Sequence, residues 1–500
     1  MLADPSGNIP GLMDQALFSD AKSRRSSSVV SANAAQKTKM LLGPYQAPVD
    51  TPGVLLQAAV LAMRSGLTGS LSGVFTMMAR PLILIAAPPF SGHLHPLLGL
   101  GRYLQTDYRV LIACTTRGRA DIEATGLEGI FLLEGQDDAI DQIVNPPHQI
   151  RHNPILLYGQ LKANVRLMAQ MQRELQAIFA ELKPAALVAD FTLAIAGLTA
   201  EQDHIPWLTT LPSPCVYECP QGPVAYFGGL RPRSDRIGRI RDALHRSLLR
   251  LFKRSMATLC RRDLRRIGFR SIYRSDGSER VYSPKRVYAL GMRELEFERG
   301  CPDRLQLIGP ILYTPPDHWP APRFRQQQKH VLVTLGTHLL FAKQGLLQAM
   351  LQLAARYSGY DFHFSFGASQ GAKSELLNLQ NEADNVQIHA FISYARHLHH
   401  YDVAIHHAGS GILYACLQKA IPALVIPMDY DQFDNAVRLE AVGAAHIAPR
   451  IADLQPAWQR LIDDPEIKAK CQLLQQQLQL YQPCHTIATE LEALLAGRYS

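Results

Sequence analysis

Ile405-His406-His407-Ala408-Gly409-Ser410-Gly411, followed downstream by Val425-Ile426-Pro427-Met428-Asp429-Tyr430-Asp431-Gln432, decides how this chain folds. An apolar strand, Val403 to Ile405, runs into a histidine and a glycine-rich turn, and the residues after the turn read as a helix. A second apolar strand, Ala423 to Ile426, ends in Asp431 and Gln432. A strand, glycine turn and helix start leave backbone N–H groups unpaired beside the positive end of a helix dipole. Such a place suits an anion, and a diphosphate in particular. A carboxylate and an amide at the neighbouring strand end suit the adjacent hydroxyls of a sugar.

Working outward, strand and helix alternate on both sides of this stretch. Before it lie strands at Val331 to Leu335, Phe362 to Phe366 and Val386 to Ile388, and after it one at Ala444 to Ile447. An earlier series opens at Leu82-Ile83-Leu84-Ile85-Ala86-Ala87 and runs into Pro88-Pro89-Phe90-Ser91-Gly92-His93. A helix (Pro96 to Leu104), a strand (Arg109 to Ala113) and a further strand (Ala185 to Ala189, ending at Asp190) continue it. Proline crowds the stretch between the two series: Pro310, Pro315, Pro316, Pro320 and Pro322. The pattern predicts an α/β protein of two doubly wound, Rossmann-like domains facing across a cleft. We divide it as 79–313, a linker at 314–328, a second domain at 329–480 and a C-terminal helix at 481–500. Residues 1–78 read as a low-complexity extension, disordered in expectation, with Met77 or Met78 as an internal start.

Five hundred residues favour two domains, and a charged fraction of 19% with 47% hydrophobic residues is globular. No run of about 18 apolar residues occurs, so no spanning helix is expected. The eight cysteines are scattered; the closest pair, Cys215 and Cys219, has no second pair nearby. That predicts neither a disulfide framework nor a zinc site, and fits a reducing compartment. The net charge is +8, but 231–270 alone holds fourteen Lys/Arg against three Asp, a local +11. The remainder is slightly acidic, which excludes a general nucleic-acid-binding surface.

His93 and Asp190 both fall at carboxyl ends of strands in the first series, where a carboxylate could fix an imidazole's tautomer and make it a base. Gly92-His93-Leu94-His95-Pro96 resembles the G-H-x-x-P turn, and Leu187-Val188-Ala189-Asp190 the V-x-D strand end, of family-one glycosyltransferases, which include UDP-glycosyltransferases and bacterial macrolide-type enzymes with the GT-B fold. His407-Ala408-Gly409-Ser410-Gly411 resembles their H-x-G-x-G turn, Asp431-Gln432-Phe433-Asp434-Asn435 their D-Q-x-x-N, and Val333-Thr334-Leu335-Gly336-Thr337 their V-S-x-G-T. The resemblance implies an inverting, metal-independent transfer of a hexose from a nucleoside-diphosphate sugar (UDP or dTDP) to a hydroxyl of a lipophilic acceptor. It makes His93 the base and Asp190 its partner. Gly336, Thr337, His407, Gly409, Ser410 and Gly411 would hold the diphosphate, Asp431 and Gln432 the sugar, and Tyr394 the nucleobase. No cofactor is implied beyond the donor sugar as co-substrate, and the protein is expected in the cytoplasm.

The chain departs from that family at Ala415, where a ribose-binding Glu is usual, at Ile412 and at Ser393-Tyr394. Ile412 and Ala415 motivate a non-catalytic sugar-nucleotide-binding protein as an alternative, and an epimerase of the same fold is another. Asp429-Tyr430-Asp431 could hold a metal as a D-x-D, and His93-Leu94-His95 as an H-x-H, while His397, His399 and His400 read as a solvated helix end. In the basic segment, Ile237, Ile240, Leu244, Leu248 and Leu251 form a helical stripe among Arg236, Arg239, Arg246, Arg250, Lys253 and Arg254. Two readings stand: a helix packed by its apolar stripe with a solvated basic face, or a peripheral membrane contact through 236–270.

Overall fold

In this computed structural model the residues described are 80–144, 154–367 and 384–497. The N-terminal extension and the internal-start expectation lie outside them. The first sheet has seven strands in the order β3-β2-β1-β4-β5-β6-β7. They are β1 (Leu82–Ala86), β2 (Arg109–Thr115), β3 (Glu128–Leu132), β4 (Ala186–Asp190), β5 (Trp207–Leu211), β6 (Val287–Ala289) and β7 (Leu305–Leu307). The second has six, β10-β9-β8-β11-β12-β13, made of β8 (Lys329–Thr334), β9 (Tyr360–Ser365), β10 (Val386–His389), β11 (Val403–His406), β12 (Ala423–Val425) and β13 (Ala445–Ile447). Every strand pair is parallel, as β-α alternation requires. β1 and β4 are buried along their whole length, because helices cover both faces of the sheet.

Order reverses beside β1 and β8, the first strand of each sheet. Ala86 of β1 pairs with Ala189 of β4, and Thr334 of β8 with His406 of β11. The carboxyl ends of these four central strands carry His93, Asp190, Gly336, Thr337 and His407, at the switch points where such sheets open a crevice, while Tyr394 follows β10 and Asp431 and Gln432 follow β12. Seven helices matter below: α1 (Ser91–Leu104), α2 (Pro154–Leu182), α3 (Arg236–Leu259), α4 (Leu340–Ala354), α5 (Ser410–Gln418), α6 (Gln432–Ala441) and α7 (Pro483–Leu495). Ile487, Leu491 and Leu494 of α7 join Leu97, Leu98 and Leu104 of α1 in one core. The chain's last helix therefore returns to the first sheet.

Four expectations are corrected. The Gly92-His93 stretch, a turn by resemblance, is helical here: α1 starts at Ser91, so His93 lies in its first turn. Cys219 and Cys301 form a disulfide with Cα atoms 4.8 Å apart, bridging 82 residues of sequence that spacing rules could not connect; this counts against the reducing-compartment reading. His397 is buried rather than solvated, packed with Phe324, although His399 and His400 are exposed. Finally, α3 packs the other way round from the first reading. Its stripe of Ile and Leu is exposed, and its charged face lies against the first lobe.

Candidate active site

A cavity of about 670 Å³ runs between the lobes. His93 lines it, with Nδ1 held 3.1 and 3.0 Å from the two Asp190 oxygens. Asp190 is 1% exposed, and its Oδ1 also accepts from the Thr192 N–H (2.9 Å) and hydroxyl (2.5 Å). A carboxylate at Nδ1 puts the ring proton there and leaves Nε2 as the proton acceptor. Burial pulls the His93 pKa down, but the Asp190 charge and hydrogen bond, aided by Asp431, outweigh it and leave it above the usual value.

The opposite wall comes from the second sheet. His407, Gly409, Ser410, Gly411, Gly336, Thr337, Tyr394, Asp431 and Gln432 all line the same cavity. α5 opens at Ser410 with no side chain capping its first turn, so its leading N–H groups are available. A Cβ on Gly411 would lie 3.9 Å from Gly92 Cα, so the starts of α5 and α1 face one another across the cleft. The His407 ring is wedged between two glycines: a Cβ on Gly409 would stand 2.4 Å from its Nε2, and one on Gly336 3.0 Å from Cε1. Burial, with the nearby His338 and Lys343, holds the His407 pKa at about 3. The ring is therefore neutral at pH 7 and can offer a hydrogen bond, not a charge. Gln432 Oε1 is engaged by the Met428 and Asp429 N–H groups (2.9 and 3.1 Å), which leaves its NH2 to meet a ligand. The Tyr394 hydroxyl donates to Thr334 at 3.3 Å.

Several residues escaped the sequence reading. Asn435 donates to the Ala408 carbonyl (3.1 Å) and to Asp431 Oδ2 (3.2 Å), tying the two motifs together. Ser213 of the first lobe donates to Asp431, and the Tyr226 N–H to Asp434 (2.9 Å), so the lobes are bridged beside the cavity. Lys343, 2% exposed, donates to the Gly336 carbonyl at 2.9 Å, and burial lowers its pKa to about 8. His338 lines the cavity next to it. Asn435 sat inside the quoted motif and could have been found; the others have no sequence signature. The half of the cavity under α2 is apolar, with Leu133, Ile140, Leu167, Met168, Met171 and Phe191 in its wall.

The metal readings find little support in the geometry. His93 and His95 turn to separate carboxylates, since His95 Nε2 meets Asp121 at 3.0 Å. In the D-x-D, Asp431 is engaged by Ser213 and Asn435. Among the described residues the one cluster able to chelate is His330, Asp361 and His363, away from the cavity lining. There Arg325 already holds Asp361, and His363 Nδ1 lies 2.9 Å from the Tyr401 hydroxyl.

Two facing parallel sheets with a crevice at both switch points define the GT-B class. Residues 370–494 match the model of the erythromycin biosynthesis protein CIII-like C-terminal domain. The oleandomycin glycosyltransferase of Streptomyces antibioticus is 29% identical over 176 residues, 34% of this chain and 40% of that one. The NDP-glycosyltransferase YjiC of Bacillus subtilis (strain 168) is 23% identical over 418 residues, 81% of this chain and 95% of its own. Among solved structures, the glycosyltransferase of kitacinnamycin aligns with a TM-score of 0.65 at 22% identity, covering 83% of this chain and 99% of that one. The Streptomyces sp. SF2575 glycosyltransferase SsfS6, complexed with thymidine diphosphate, aligns at 0.56 and 18%, covering 83% and 100%. The chain therefore has the GT-B fold and is similar to bacterial macrolide-type, family-one glycosyltransferases, which use a nucleotide sugar.

Proposed function

We propose that this protein moves a hexose from a nucleoside-diphosphate sugar to a hydroxyl of a lipophilic acceptor, with inversion and without a metal. One observation carries the reading: a carboxylate-backed imidazole and an uncapped helix start line one cavity from opposite lobes. His93 Nε2 takes the acceptor's proton as its oxygen bonds to the anomeric carbon from the face opposite the diphosphate. The bond from that carbon to the diphosphate breaks, and the leaving group keeps the electron pair. The first N–H groups of α5 and neutral His407 receive it, with Thr337 and Gly336 alongside. Asp431 and the Gln432 NH2 orient the sugar, and Tyr394 borders the base.

The apolar wall under α2 supports a lipophilic acceptor. Thymidine diphosphate in SsfS6, and in the solved spinosyn rhamnosyltransferase SpnG, favours a dTDP donor over UDP. The proposal also includes peripheral contact with a membrane through 236–270. The test compares donor hydrolysis and transfer in wild type and His93→Ala across a panel of dTDP- and UDP-sugars. Loss of both activities in the variant is expected; equal turnover would refute the assignment of the base.

A further inference from the structure

α3 is amphipathic and mounted in reverse. Ile237, Ile240, Leu244, Leu248 and Leu251 are 65, 68, 56, 46 and 62% exposed, whereas Gly238 and Asp242 are its buried residues. At 100° per residue the five aliphatics share one side of the helix, with Phe252 and Leu259 at its border. The opposite side is fastened by charge. Arg246 donates to the Cys219 and Gly222 carbonyls (3.0 and 3.2 Å), Arg250 to Glu218 (3.0 Å), and Lys253 to Glu218 and Glu279 (2.6 and 2.7 Å). The Cys219–Cys301 disulfide holds the platform beneath. A hydrophobic face of this extent, kept outward by buried ion pairs, is a surface for something else.

We propose that this face docks on an anionic lipid bilayer, with α3 lying in the plane of the headgroups. Charge selects this occupant. Arg236, Arg239, Arg261, Arg262, Arg265 and Arg270 are exposed and have no carboxylate partner among the described residues, and they border or follow the stripe. Each basic side chain at such a surface strengthens partitioning roughly fivefold. A second copy would set a local +11 against its like. Residues 1–79, with six Lys/Arg against four Asp, offer no acidic complement either. The segment leading into α3 begins at Tyr226, which lines the cavity, so docking brings the cleft wall to the lipid. The further consequence, that the acceptor is drawn from the membrane, rests on the glycosyltransferase reading above.

Flotation of the full-length protein on phosphatidylcholine vesicles, with and without phosphatidylglycerol, tests the surface. Binding at least tenfold stronger on the mixed vesicles is expected, and it should vanish at about 1 M salt, where the screening length is about 3 Å. The triple variant Ile240→Ser, Leu244→Ser, Leu248→Ser should lose at least tenfold in binding and keep its circular dichroism and its donor hydrolysis in solution. Equal recovery on both vesicles, no binding to either, or unchanged binding by the variant would overturn the proposal. So would a wild-type dimer that the variant dissociates. Lipid binding of the expected pattern from a protein without donor hydrolysis would keep the docking surface and sink the transferase chemistry, so the two failures are distinct.

Discussion

Replacing Asp190 by Asn changes one atom of the His93 dyad, and the surrounding bonds dictate which one. Oδ1 of Asp190 is held by the Thr192 N–H and hydroxyl, both donors, so the Asn carbonyl must stay on that side. The new NH2 then stands where Oδ2 faced His93 Nδ1 at 3.0 Å. Being a donor, it repels an Nδ1–H and favours an Nδ1 that accepts, moving the ring proton to Nε2, the nitrogen assigned to the acceptor hydroxyl, against the competing 3.1 Å contact of Nδ1 with Oδ1. The base is present but blocked. Wrong-tautomer variants of imidazole bases lose on the order of 10²–10⁴ in rate, about 3–5 kcal/mol of barrier. kcat should fall by that factor with donor KM within about threefold, since donor binding lies on the other lobe. The pH profile adds a second signature. Wild-type kcat/KM should fall as pH drops through a pKa above the ordinary histidine value of about 6.5, because Asp190 raises the pKa of His93 and only the neutral ring is a base. In Asp190→Asn the residual activity should titrate at lower pH, the stabilising charge having gone. Steady-state assays from pH 5 to 9 against a dTDP-sugar would measure both. A variant within threefold of wild-type kcat, or an unmoved acidic limb, would refute the dyad.

Gly409→Ala should weaken dTDP binding by roughly tenfold in calorimetry, because its Cβ would stand 2.4 Å from His407 Nε2; unchanged affinity would remove His407 from the diphosphate site. Turnover should survive EDTA, since Asp431 of the D-x-D is engaged by Ser213 and Asn435; activity abolished by EDTA and restored by manganese would reverse that. Lys253→Met should destabilise the protein by about 3 kcal/mol in urea unfolding, because it leaves Glu218 and Glu279, side chains 5 and 8% exposed, without their shared cation. Gln418→Ala should raise donor KM, because Gln418 is a polar side chain one turn beyond Ala415 on the cavity wall; an unchanged KM would exclude it from donor binding.

The parts of this molecule that could be read in advance are those where local chemistry and topology coincide. Leu82 to Ala86 can be nothing but a buried parallel strand, and a strand entering His407-Ala408-Gly409-Ser410 can hardly avoid presenting a helix start. Once strands alternate with helices, chain order alone sets the neighbours, and β1 beside β4 brings His93 to Asp190 across 97 residues. Cys219 and Cys301 lie equally far apart in kind, but on loops, where no periodicity fixes a partner. Ser213 and Tyr226 meet Asp431 and Asp434 only because two lobes close, a relation neither sheet encodes by itself. α3 is the sharpest case. A stripe at steps of three and four states that one side of a helix is apolar, and is silent on whether that side faces protein or not. The direction was set elsewhere, by Glu218 and Glu279, carboxylates whose burial demands cations. Polar groups that must be satisfied inside can thus turn a hydrophobic face outward, and where they do, the exposed face points to a partner that the chain does not contain.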